Sequence, residues 1–250
     1  VSTTLLTGRS GTLGPVLADA LRAGGDTCLG WDRVAVPPDD LGAARALLDR
    51  EDPARVVHLA FGAEAWAATL AGWCRERGRP FLFVSTAMVF DRVPDGPHRP
   101  EDARTGQDEN GRYKARCEDA VRDANPDALI ARIGWQIGER RGGNHMLEAL
   151  HGMVERDGCV RASRRWVPAT SFLVDTCAAL QRLLDARAPG TFHVDGNAEC
   201  AWTFDRIARA LVARHGLDWR IEETDEYVHD QRLVDPRVLV ASIAARLAQA

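Results

Sequence analysis

Two hydrophobic patterns alternate along the first half of the chain. Thr3 to Leu6 is a short apolar run ended by a glycine-bearing turn, and Pro15 then stands where a first helical turn tolerates a residue without an N–H. Val16, Leu17, Ala20 and Leu21 share one face of the helix predicted there, and Gly24-Gly25 stops it. Thr27 to Trp31 predicts a second strand, followed by a proline-marked loop and a helix from about Asp40 to Arg50. Val56 to Phe61 predicts a third strand. Trp66, Leu70 and Trp73, at i, i+4 and i+7, predict the next helix, which Gly78 and Pro80 close. Phe81 to Ser85 predicts a fourth strand.

Strands and helices alternating at this spacing build parallel units with right-handed crossovers, because a parallel connection needs a helix's length to return. The expected class is therefore α/β, a doubly wound parallel sheet of the Rossmann kind with a small C-terminal lobe. A polar, proline-rich stretch from Pro94 to Asn110 precedes a helix through about Ala124 and a fifth strand at Ala128 to Ile133. Beyond it the pattern predicts a helix over Val174 to Leu184, a strand at Thr191 to Val194, and an amphipathic helix carrying Phe204, Ile207, Ala208, Leu211 and Val212 that Gly216 ends.

Composition narrows the function classes. With 45% hydrophobic and 27% charged residues the chain is an ordinary globule, and 32 basic against 36 acidic side chains leave a net charge of -4. That balance supplies no basic field for nucleic acid or an anionic membrane, so neither is an expected partner. Six cysteines are scattered without C-x-x-C pairs, which reads as buried thiols and no metal. The weakly charged run from Val56 to Cys74 is interrupted by His58, Gly62 and Glu64, so it reads as strand plus helix rather than a membrane span. No basic segment followed by a long apolar stretch opens the chain, and the expectation is a cytoplasmic protein.

Thr7-Gly8-Arg9-Ser10-Gly11-Thr12-Leu13-Gly14 places glycines at i, i+3 and i+6 between the first strand and the first helix. Glycines in that setting let the chain approach a pyrophosphate whose charge the helix N-terminus stabilises, which points to NAD or NADP. Asp32 ends the second strand, where an acidic side chain accepts hydrogen bonds from ribose hydroxyls, while Arg33 beside it suits an adenine face or a 2'-phosphate. The choice between the two dinucleotides stays open. The domains expected are 1–138 for the dinucleotide, with segments near 172–195 returning to it, and 139–250 mainly for a substrate lobe, with the site at the strands' C-terminal ends between them.

The chain resembles the extended short-chain dehydrogenase/reductase superfamily and, within it, the dTDP-4-dehydrorhamnose reductase-like branch. The resemblance is carried by the glycine turn, by Val56-Val57-His58-Leu59-Ala60, and by Phe83-Val84-Ser85-Thr86-Ala87-Met88-Val89-Phe90-Asp91. Gly111-Arg112-Tyr113-Lys114 with Glu118, Ala131-Arg132-Ile133-Gly134-Trp135, Thr191-Phe192-His193-Val194 and Ala201-Trp202-Thr203-Phe204 complete it. It implies an NAD(P)-dependent reductase of a nucleotide-linked or similar polyhydroxylated carbonyl compound. By position, Thr86 would bond the carbonyl and Lys114 the nicotinamide ribose. The cofactor set implied is Gly8, Arg9, Ser10, Gly11, Thr12, Leu13, Gly14, Asp32, Arg33, Leu59, Ala60, Phe61, Ser85, Lys114 and Ile133. Met88, Trp135, Asn144, Arg164 and Arg165 are the substrate candidates, the arginines as a diphosphate clamp, and a homodimer is left open.

One departure stands out. Four residues before Lys114, where the family's Y-x-x-x-K has its tyrosine, this chain has Asn110. An amide has no titratable proton near neutral pH, so Asn110 can orient a carbonyl but not protonate it. Tyr113, on an adjoining helix face, is the candidate replacement, and Asp91 a weaker one. The alternative function is a catalytically silent NAD(P)-binding regulatory subunit or sensor.

Overall fold

The computed structural model describes residues 2–248. The first half runs β1 (Thr3–Thr7), α1 (Gly14–Ala23), β2 (Thr27–Gly30), α2 (Leu41–Glu51), β3 (Arg55–His58), α3 (Glu64–Glu76), β4 (Phe81–Thr86), α4 (Glu109–Ala124) and β5 (Leu129–Ile133), with a 3-10 turn at Ala87–Val89 after β4. The second half adds β6 (Trp135–Ile137), α5 (Met146–Asp157), β7 (Val160–Ser163), β8 (Trp166–Val167), β9 (Thr170–Phe172), α6 (Leu173–Ala186), β10 (Gly190–Val194), α7 (Phe204–Arg214), β11 (Ile221–Thr224), β12 (His229–Asp230) and α8 (Ile243–Leu247). Six strands form one parallel sheet in the order β10-β5-β4-β3-β1-β2. The order reverses between β1 and β3, and in such sheets ligands bind in the crevice that opens at that reversal.

The chain divides into two compact units. One holds the described residues through Thr86 with Asp108–Arg132 and Cys177–Phe192; the other holds Ala87–Gln107, Ile133–Thr176 and the described residues from His193 onward. In the first, Trp66, Leu70, Trp73, Phe81 and Phe83 are wholly buried between helices and sheet. In the second, Ile137, Val160, Phe172 and the apolar face of α7 (Phe204, Ile207, Ala208, Leu211) make the core. Among the described residues no helix is long and apolar enough to cross a membrane.

The division differs from a boundary at Gly138 in two places. Gly134 meets Ala169 so closely that a Cβ would lie 2.1 Å from its carbonyl oxygen, and β6 pairs with β9, so the chain leaves the first unit directly after β5. The stretch after β4 also belongs to the second unit, where Phe90 stacks on His98 at 4.3 Å and the His98 amide donates to the Arg232 carbonyl. Both joins need partners more than 30 residues away along the chain, which local pattern does not reveal. Of the cysteines, five are buried and Cys200 is half-buried.

Candidate cofactor and active site

The glycine turn is shaped by close backbone approach. Gly8 has φ +70°, and a Cβ on it would stand 3.0 Å from the Ala60 amide nitrogen. A Cβ on Gly14 would stand 2.4 Å from the carbonyl oxygens of both Gly8 and Arg9. The start of α1 therefore presses directly onto the turn, which only a hydrogen at each position allows. No side chain caps α1, and its first turn carries no acidic residue. The opening amides of the helix are left to an anion without a competing carboxylate.

The third strand ends sooner than its apolar pattern predicts. β3 stops at His58, and Leu59, Ala60 and Phe61 run on as loop. The cause is a side chain from β1: the Thr7 hydroxyl accepts the amides of Leu59 (3.1 Å) and Ala60 (3.2 Å), taking them out of the ladder. With both acceptor sites used, the Thr7 proton goes to His58 Nδ1, 2.8 Å away, so that His58 is the neutral Nε2-H tautomer. Burial pushes the His58 imidazole down to about 3, with Lys114 and Arg33 adding to the shift, so the ring is a structural peg at this corner. Thr7 escapes a sequence reading because its hydroxyl acts on residues more than 50 positions away.

Lys114 reaches the same corner from α4. Its ammonium is buried, donates to the Val84 carbonyl at 2.9 Å, and lies 4.9 Å from the ring centre of Phe61 and 4.7 Å from that of Phe83. Two aromatic faces flank the largely buried charge. Burial pushes Lys114 down to about 8. Phe61 is 56% exposed and stacks on Tyr113 at 5.5 Å. Ser85, two residues beyond Phe83 on the same face of β4, has its hydroxyl buried without a hydrogen-bond partner. Thr86 ends β4, and Ile133 ends β5.

The Tyr113 hydroxyl is engaged by backbone. The Tyr113 hydroxyl donates to the Gly62 carbonyl at 2.8 Å and accepts the Gly62 amide at 3.1 Å, so the backbone of one residue holds it as donor and acceptor. Burial pushes its phenol up to about 12. In this structure Tyr113 is a clasp between α4 and the loop after β3. Asn110 lies in the first turn of α4, whose N-cap Asp108 accepts the Gly111 amide at 2.9 Å. Asp91 accepts the amide of Arg92 at 2.7 Å.

At the end of β2 the Asp32 carboxylate is turned to its own loop, where one oxygen accepts the amides of Val34 (2.8 Å) and Ala35 (3.2 Å). Arg9 extends from the glycine turn across Gly30, where a Cβ would meet its Cδ at 2.7 Å. Gly30 is thus the reason an arginine can lie flat over the strand end, a contact that spacing in the sequence does not disclose.

The substrate candidates Met88, Trp135, Asn144, Arg164 and Arg165 all fall in the second unit. Arg164, a proposed half of a diphosphate clamp, forms a forked pair with Asp225 at 2.7 and 3.3 Å, and Glu223 stands 3.7 Å away. Parallel pairing of β7 with β11 brings those acids alongside, a register the sequence conceals. Trp135 stacks on Trp166 at 6.0 Å, and Trp166 with Met153, Phe204 and Tyr227 lines a cavity of about 430 Å³ that also meets the Arg161–Glu226 pair. Sequence reasoning passed over Trp166, Phe204 and Tyr227 because aromatic residues at such spacing read as core.

A doubly wound sheet with a glycine turn at its reversal point, followed by a helix without a side-chain cap, defines an α/β protein of the extended short-chain dehydrogenase/reductase kind. Within that class the chain belongs to the family described as RmlD substrate binding domain, whose model matches residues 62–231. It is 29% identical over 231 residues to a dTDP-4-keto-6-deoxy-D-glucose reductase of Streptomyces niveus, covering 86% of this chain and 79% of that one. A probable low-salt glycan biosynthesis reductase of Haloferax volcanii is 35% identical over 132 residues, 50% of this chain but only 43% of its own length. Among solved structures, a dTDP-4-dehydrorhamnose reductase of Bacillus anthracis in complex with NADP shares the fold, with a TM-score of 0.84 at 14% identity over 100% of this chain and 98% of that one.

Proposed function

We propose that the protein is an NAD(P)H-dependent reductase of a nucleotide-linked keto sugar. The observation that carries this reading is one short segment, Leu59–Gly62, that joins two functional groups. Its start meets the phosphate turn at Gly8, and its end carries Phe61 and Gly62 against Lys114 and Tyr113. The turn, the helix amides and the unpartnered Ser85 hydroxyl suit a pyridine dinucleotide, which when bound supplies a hydride. Lys114 would hold its ribose and Thr86 the substrate carbonyl. The aromatic cavity of the second unit suits the flat face of a base or sugar.

The test is direct: the purified chain with NADPH and a dTDP-linked 4-keto-6-deoxy sugar should lose nicotinamide absorbance. Asn110 favours a second reading, the silent NAD(P)-binding subunit. In that case the wild type binds NADPH without turnover, and only Asn110→Tyr creates it.

For the dinucleotide, Arg9 laid over Gly30 and Arg33 beside an inwardly turned Asp32 favour a 2'-phosphate, and NADPH over NADH. A charge-assisted hydrogen bond contributes about 1.5–3 kcal/mol. Arg9→Ala is therefore expected to weaken NADPH binding about 10- to 100-fold with NADH affinity nearly unchanged, read by fluorescence titration. Equal losses for both dinucleotides would remove the assignment.

A further inference from the structure

We propose that Lys114 is the proton donor of the reduction, passing a proton from its ammonium to the oxygen of the reacting carbonyl, in the role for which a Y-x-x-x-K site uses tyrosine. The proposal rests on the reductase reading above and adds to it a chemical assignment for one atom, Lys114 Nζ.

Elimination leads there first. Asn110 has no ionisable proton, the Tyr113 hydroxyl is held on both sides by Gly62, and the Asp91 carboxylate accepts the Arg92 amide within the second unit. Lys114 remains, and its geometry suits the task. An ammonium carries three N–H bonds, and the Val84 carbonyl takes one of them. The faces of Phe61 and Phe83 lie against the charge but accept no proton, so N–H bonds are left for ligand oxygens. The position is at the C-terminal ends of β3 and β4, with Ser85 and Thr86 next along β4. The unpartnered Ser85 hydroxyl is a second polar point, on the same face of β4 as Phe83, against whose ring Lys114 rests.

The surroundings also set the acidity. Cys117 and Glu118 come from the same helix and raise the affinity of Nζ for its proton, though Glu118 is itself engaged by Arg132 at 2.8 Å. From β3 comes His58, held neutral, and β4 brings no titratable side chain. Burial outweighs the two acids and leaves the ammonium at about 8, still mostly protonated at neutral pH and close enough to it for efficient transfer.

The step balances without a further reagent. Hydride arrives at the carbonyl carbon from the bound dinucleotide, and the π pair of the C=O bond moves to oxygen. An O–H bond forms there as one Nζ–H bond breaks, the electron pair staying on nitrogen. Water reprotonates the neutral amine before the next turnover.

Lys114→Arg separates proton donation from charge, since a guanidinium is effectively never deprotonated in proteins. The variant is expected to turn over about 10²- to 10⁴-fold more slowly, a loss in kcat well beyond any loss of NADPH affinity read by fluorescence titration. Wild-type kcat/KM should fall above about pH 8 with unit slope. Independently of turnover, the Cε resonance of Lys114, the one lysine of this sequence, should titrate near the same pH in ¹³C-lysine-labelled wild type. That measurement stands even if the variant fails to fold. A variant that keeps kcat within tenfold of wild type, or a Cε midpoint above 10, overturns the assignment alone. A wild type that binds NADPH and reduces no nucleotide-linked 4-keto sugar overturns the reductase reading with it.

Discussion

Gly14→Ala is expected to weaken NADPH binding about 10- to 100-fold and to lower thermal stability at the same time. The added Cβ would sit 2.4 Å from the carbonyl oxygens of Gly8 and Arg9, which are backbone atoms and cannot swing aside as a flexible side chain would. Either α1 lifts from the turn or the turn opens, and in both cases the amides proposed to hold a pyrophosphate lose their alignment. Losing one such charge-assisted bond costs about 1.5–3 kcal/mol, which is the affinity change stated. Overpacking of this kind costs about 1–3 kcal/mol in stability. The control is the same substitution at Gly152, within α5, where a Cβ meets nothing within 4 Å. There alanine is expected to gain about 1 kcal/mol through helix propensity and to leave binding alone. Calorimetry and fluorescence titration on the two variants read both effects. Unchanged NADPH affinity in Gly14→Ala would show that the dinucleotide does not lie on this turn.

Glu118→Ala should cost about 3–5 kcal/mol, the penalty for leaving a buried charge without its partner. Arg132, 2% exposed, forms a two-point pair with Glu118, 0% exposed, at 2.9 and 2.8 Å. At about 2–4 °C per kcal/mol for a chain near this size, the thermal midpoint should fall by about 6–20 °C. Replacing both, as Glu118→Leu with Arg132→Met, should recover most of that loss, because an apolar pair of similar volume avoids the desolvation of two ions. Glu118 lies one helical turn beyond Lys114, so the pair also ties α4 to β5 just below the ammonium. If the single and double variants melt alike, the ion pair is not what holds this face together.

The parts of the site that sequence made legible share one property: each is local. The glycine turn, the strand before it and the helix after it lie within 23 residues, and propensity with period-3.6 patterning suffices to place them. The same holds for the six strands of the main sheet, whose apolar runs are bounded by turn residues. β6 to β9, β11 and β12 were not foreseen, because runs of two to four residues carry too little pattern and are held by partners distant in the chain.

The amino-acid order alone made legible a doubly wound α/β chain with a glycine turn after its first strand, and an amide where a tyrosine is expected. Folding decided what those residues do. Thr7 ends β3 early, Gly62 holds the Tyr113 hydroxyl, Asp225 holds Arg164, and two phenylalanines from different segments enclose Lys114. Each of these facts depends on a hydrogen bond or a burial made between distant parts of the chain. The acidity and availability of a side chain follow from such neighbours, which periodicity does not encode.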